Sequence, residues 1–83
     1  MNLTVKIYVT PRKGILDPQG RAAEGALRSL GFADVSSVHI GRYIVLEIDA
    51  GSASVAETAA REMCERLLVN PLIEDYRLEV ADV

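Results

Sequence analysis

Residues 35–48 read Val35-Ser36-Ser37-Val38-His39-Ile40-Gly41-Arg42-Tyr43-Ile44-Val45-Leu46-Glu47-Ile48. The topology of the chain turns on whether Gly41-Arg42 is a two-residue hairpin turn or a kink in one strand. Side-chain parity separates the two. In a two-residue hairpin Ile40 faces Tyr43, so Tyr43, Val45 and Glu47 join Val38 and Ile40 on the core side and a carboxylate is buried. In a continuous strand Val38, Ile40, Arg42, Ile44, Leu46 and Ile48 share one face, apolar except for Arg42 beside the glycine. The second reading keeps Glu47 out of the core, so one long strand bent at Gly41 is expected.

Working toward the N-terminus, Leu3, Val5, Ile7 and Val9 alternate with Thr4, Lys6, Tyr8 and Thr10, the period of a half-buried strand. Pro11 ends it by removing a ladder donor. Asp17 and Pro18 are a helix cap and a first helical residue; Ala23, Ala26, Leu27 and Leu30 then recur at helical spacing, and Gly31 stands at the left-handed closing position. This predicts a helix over 18–30. Gly20 and Gly25 inside it each cost roughly 1 kcal/mol against alanine, which is consistent with close approach by a strand or partner.

Toward the C-terminus, Ser54 with Glu57 forms a capping-box pattern, and Ala56, Ala59, Ala60, Met63, Cys64, Leu67 and Leu68 make an apolar stripe, predicting a helix over 55–69. Glu57–Arg61 and Glu62–Arg66 are spaced for a solvated face. Asn70-Pro71 stops this helix, and residues 73–80 return as a strand with Tyr76, Leu78 and Val80 on one side and Arg77 and Glu79 on the other. The expected fold is α+β, a two-layer β-α-β-α-β sandwich in one domain spanning 1–83, with a long bent central strand and both helices on one face of a mainly antiparallel sheet. The opposite face carries Tyr8, Tyr43, Val45 and, depending on phase, Tyr76. So apolar a surface on so small a domain is read as a buried subunit contact.

Size supports that reading. An 83-residue chain buries only about 60% of its unfolded surface, so self-association to a homodimer or homotetramer is expected. One cysteine (Cys64) and one histidine (His39) provide neither an intrachain disulfide nor a metal cluster. A net charge of -3 argues against general nucleic-acid binding, which draws on neutralised phosphates. An RNA-binding sheet with Tyr8 and Tyr43 as stacking platforms would need a basic surface that this composition lacks. No signal-like segment and no stretch of ~20 apolar residues occurs, so a soluble, cytoplasmic protein away from membranes is expected.

Catalytic patterns are sparse. His39 has no evident orienting partner in the sequence, and Cys64 falls in an apolar stripe where a thiol is a small hydrophobe. Gly14-Ile15-Leu16-Asp17-Pro18-Gln19-Gly20 lacks the lysine and the serine or threonine of a nucleotide loop. No catalytic residue and no bound cofactor or metal is expected. That run is still more specified than a helix start requires, because the cap accounts for Asp17-Pro18 but not for Gln19 or the flanking glycines. With the basic residues Arg12, Lys13 and Arg42 placed at loops or kinks, it suggests a surface that meets an acidic partner. Arg12, Asp17, Gln19, Arg42 and Tyr43 are the candidate subunit-contact residues.

The same run resembles the signature of the PurS family, the small subunit of the three-part phosphoribosylformylglycinamidine synthase of purine biosynthesis. Further resemblance lies in Ala26-Leu27, Leu30-Gly31-Phe32, Val38 with Gly41-Arg42-Tyr43, Leu67-Leu68 and Asn70-Pro71-Leu72-Ile73-Glu74-Asp75-Tyr76. Pro11, His39 and Arg42 depart from the leucine, arginine and lysine common at those places. The resemblance implies a non-catalytic subunit of an ATP- and magnesium-using, glutamine-dependent ligase. Such a subunit would join a glutaminase to a large synthetase and assist ammonia transfer between them. A small amino-acid-sensing domain is the alternative, though no evident ligand loop supports it.

Overall fold

Leu3, Val5, Ile7 and Val9 are almost completely buried, and the strand that carries them, β1 (Asn2–Pro11), is the middle strand of the sheet. The computed structural model describes residues 1–82. β2 (Arg42–Asp49) and β3 (Glu74–Asp82) flank β1, both antiparallel to it, in the order β2-β1-β3. The register pairs Val5 with Leu46 and Val80, and Ile7 with Ile44 and Leu78. Paired residues in an antiparallel ladder share a face, so the apolar rows of three strands merge into one surface.

A single helix covers that surface. α2 (Ala53–Met63) sets Ala56 and Ala60, followed by Cys64, against the sheet, and all three are fully buried. Small residues let the helix axis approach closely, and Ile44, Leu46, Ile48, Leu68, Tyr76, Leu78 and Val80 pack around the contact. The cap is Ser52 rather than Ser54. Its extended backbone points Oγ at the Val55 amide, 3.2 Å away, and the helix therefore starts two residues earlier than the pattern suggests. After Met63 the helix widens into a π-type turn, Cys64–Leu68, closed by the Val69 amide donating to the Cys64 carbonyl at 3.0 Å.

Parity holds around Gly41. Ile44, Leu46 and Ile48 face the core, while Tyr43, Val45 and Glu47 are exposed on the opposite side. A Cβ at position 41 would overlap the Val9 carbonyl, so glycine is required where the chain crosses the end of β1. The regular strand, however, begins only at Arg42. Residues 36–41 run on without a β-ladder partner, because the ladder has reached the end of β1 and Pro11 has no amide to donate.

The two helices do not share the sheet. α1 (Pro18–Ser29) ends in a Schellman turn, with the Phe32 and Gly31 amides donating to the Leu27 and Arg28 carbonyls and Gly31 at φ 102°. The helix is as expected in extent and closure, but it makes no substantial packing contact with any strand or with α2. It extends beyond the end of the sheet with Leu30 74% and Phe32 57% exposed. The molecule accordingly measures 50 × 26 × 14 Å with a radius of gyration of 16.2 Å, against about 12 Å for a compact chain of this length. Tyr76 also falls on the α2 side, not the open face.

The energetic centre is therefore narrow. Ile7→Ala should cost about 3 kcal/mol in urea unfolding by opening a cavity in the middle strand, whereas Val45→Ala on the open face should cost less than about 0.5 kcal/mol. Similar losses from both would contradict this assignment of the core.

Candidate subunit-contact surface

The run after β1 is organised by Asp17. Its carboxylate is 9% exposed and accepts two backbone amides, from Gly20 at 3.0 Å through Oδ1 and from Ile40 at 3.0 Å through Oδ2. The first bond is the helix cap. The second reaches across 23 residues and ties α1 to the extended segment before Gly41. A Cβ on Gly20 would overlap both the Val38 carbonyl and the Asp17 carboxylate, so helix and segment can meet only over a glycine. His39 Nδ1 lies 3.8 Å from Asp17 Oδ2. The Gly20 and Ile40 hydrogen bonds, aided by His39, hold the Asp17 carboxyl below its ordinary range despite partial desolvation. An open groove of about 400 Å³ runs alongside, lined in part by Ile15, Leu16, Asp17, Arg21, Val38 and His39.

A second cluster gathers at Glu74. Arg42 Nη2 donates to Glu74 Oε1 at 2.8 Å and to the Leu68 carbonyl at 2.9 Å, and the Asn70 amide donates to the same carboxylate oxygen at 2.8 Å. Arg12 joins from the other side: its amide donates to the Ile73 carbonyl at 2.8 Å, and its guanidinium lies 3.5 Å from Asp75. Arg42 thus satisfies an orphan carbonyl at the end of the second helix and fixes the Asn-Pro turn to the start of β2. Sequence reasoning missed Glu74 as the hub, although it lies within the Asn70–Tyr76 run.

The third grouping is on the open sheet face. Tyr8 and Tyr43 stack with centroids 5.1 Å apart, and the Arg77 guanidinium sits 4.2 Å over the Tyr8 ring. Tyr8 Oη donates to Glu79 at 3.1 Å, and Arg77 bonds the other oxygen of Glu79 at 2.6 Å. Arg77, then Tyr8, holds the Glu79 carboxyl low, while partial burial and the Glu79 bond push the Tyr8 phenol up. Cross-strand pairing of Tyr8 with both Tyr43 and Arg77 produces the stack. Arg77 was legible as an outward residue but not as a lid on a tyrosine.

Of the five candidates, Arg12 and Arg42 therefore meet through Glu74, Asp17 anchors the base of α1, and Tyr43 lies on the open sheet face. Gln19 is exposed on the first turn of α1 and makes no side-chain hydrogen bond among the described residues. Cys64 is buried, its thiol pushed up by desolvation, and no cluster of metal-ligating side chains occurs among the described residues.

This architecture has solved counterparts. The PurS profile, described as phosphoribosylformylglycinamidine (FGAM) synthase, matches residues 4–82. The chain belongs to the PurS family. The PurS subunit of phosphoribosylformylglycinamidine synthase from Bacillus subtilis is 44% identical over 79 residues, 95% of this chain and 93% of that one. The structure of B. subtilis PurS superposes with a TM-score of 0.86, covering 96% of this chain and 99% of the other. A chain from the structure of PurLQS from Thermotoga maritima gives 0.88 at 31% identity, covering 98% and 99%. The two superpositions cover 96% and 98% of this chain.

Because Asp17 has a lowered folded-state pKa, its contribution is present above the ordinary carboxylate range and is lost as pH falls through the lowered value. Amide exchange followed from neutral to acidic pH should show α1 losing protection before β1 does. Asp17→Asn should weaken α1 protection already at neutral pH, and unchanged α1 protection in that variant would refute the anchoring role.

Proposed function

We propose that this chain is the small, non-catalytic subunit of a glutamine-dependent phosphoribosylformylglycinamidine synthase. It would join a glutaminase subunit to a large synthetase subunit and help ammonia pass between them. The observation that carries the reading is family membership over nearly the whole chain, together with a TM-score of 0.88 to a chain of the T. maritima PurLQS assembly. ATP and magnesium would be used by the larger subunit, with no cofactor held by this chain. No helix among the described residues is long and apolar enough to cross a membrane, in keeping with a cytoplasmic enzyme.

The division of labour has a physical rationale. Ammonia released into water is diluted and protonated, whereas a closed passage keeps the free base concentrated, so a subunit without chemistry of its own can govern the rate. Asp17 and Arg42 are engaged within the chain and serve as its frame. Gln19, on the outward side of the same helix start, and Arg12, still half exposed, are the groups assigned to the larger subunits. The amino-acid-sensor alternative gains no support from the open groove beside Asp17, whose walls present no buried unpartnered polar group.

Gln19→Ala should leave the fold and self-association of the isolated chain intact but weaken its capture by the glutaminase and synthetase. Glutamine-dependent turnover of the reconstituted enzyme should then fall much further than turnover supplied with high external ammonium at elevated pH. Equal loss with both nitrogen sources would contradict a delivery role.

A further inference from the structure

His39 stands where the base of α1 meets the extended segment before β2. Its side chain is 59% exposed, yet Nδ1 lies 3.8 Å from Oδ2 of Asp17, a carboxylate only 9% exposed. That oxygen already accepts the Ile40 amide while Oδ1 accepts the Gly20 amide, so the carboxylate is the pin that holds α1 to the segment. At 3.8 Å the imidazole is too far away for a hydrogen bond. A neutral ring therefore adds little to the pin, whereas a protonated ring sets a positive charge beside a desolvated carboxylate. Other charges face the same ring. Arg21 and Glu24 of α1 line the groove that His39 shares with Asp17, and Lys13 and Asp75 line a second hollow that His39 also borders. Arg28 engages Glu24 at 3.7 Å and Arg12 engages Asp75 at 3.5 Å. Lys13 and Arg21 oppose a charge on the ring, but both are exposed and screened by solvent. Asp17 is the one carboxylate within 4 Å of the ring among the described residues, and it sets the sign of the interaction.

We propose that protonation of His39 tightens the junction between α1 and residues 36–41, making that junction a pH-responsive tie. Histidine is the side chain whose charge changes between about pH 5 and pH 8. Asp17, its carboxyl held below the ordinary range by the Gly20 and Ile40 amides, stays ionised across that interval. The added attraction is present on the acid side of the imidazole titration and is lost as pH rises through it. Further into acid the order reverses, because Asp17 itself takes up a proton and both of its hydrogen bonds weaken. Protection of the junction passes through a maximum in mildly acidic solution. The core does not share this dependence, since Leu3, Val5, Ile7 and Val9 are held by apolar packing against Ala56, Ala60 and Cys64. The tie thus sets how often the base of α1 separates from the segment, independently of the sheet.

The test is backbone amide exchange of the intact chain across the histidine range, from about pH 8 to about pH 5.5, with rates corrected for the intrinsic pH dependence of exchange. Protection of the Gly20 and Ile40 amides should rise about threefold toward the acid end, the scale of a partly exposed ion pair, while β1 stays level. His39→Gln, neutral throughout, should hold both amides at the alkaline level, and His39→Arg, charged throughout, should hold them at the acid level. A flat wild-type profile would overturn the proposal, as would an equal rise in His39→Gln. So would a His39→Arg variant that behaves like His39→Gln, because the effect would then not depend on charge.

Discussion

Sheet width constrains everything else in this molecule. Three strands at about 4.8 Å separation place the two edges about 10 Å apart, which is one helix diameter. Once α2 has laid Ala56, Ala60 and Cys64 over Leu3, Val5, Ile7 and Val9, the apolar face is occupied and α1 has no room beside it. The chain carries two amphipathic helices and a sheet that accepts one. Projection of α1, the 50 Å length and the exposure of Leu30 and Phe32 follow from that mismatch.

Two polar devices keep the elongated form defined where the core cannot reach. Asp17, accepting amides from Gly20 and Ile40, fixes α1 to the segment that enters β2. Arg42, bridging Glu74 and the Leu68 carbonyl, fixes the end of the second helix to the start of β2. Each spans a junction where the chain changes from one kind of backbone to another, and each uses a charged group in its hydrogen bonds, the stronger class. The glycines at 20 and 41 serve the same junctions by admitting a carbonyl oxygen where a Cβ would collide.

Legibility in the sequence followed what each pattern encodes. The alternation in 3–9 and the parity of 43–48 specify which side of a strand is apolar, and both were read correctly, including the exclusion of a hairpin at Gly41. The stripe in α1 likewise specifies that a face is apolar, but not which surface meets it, so the placement of α1 over its own sheet did not follow. Ser54 carries the capping-box spacing, yet the cap is Ser52, whose extended backbone lets its side chain accept the Val55 amide. At the contact surface, Arg42 was legible as a charge at a kink. Its partner, Glu74, lies 32 residues away, and no local spacing rule connects them.

A chain built this way suits assembly. Its core is one helix on one sheet, and the rest, α1 and the segment before β2, is surface whose two parts are tied to each other through Asp17. The role proposed for this chain is that of a subunit that couples two chemistries without performing either. The direct measurement is amidine product formed per glutamine consumed, with glutaminase and synthetase mixed in the presence and absence of this chain. The account predicts a ratio near one with the chain present and a collapse of glutamine-dependent product without it, while ammonium still supports synthesis. Glutamine-dependent synthesis that is unchanged when the chain is omitted would contradict it.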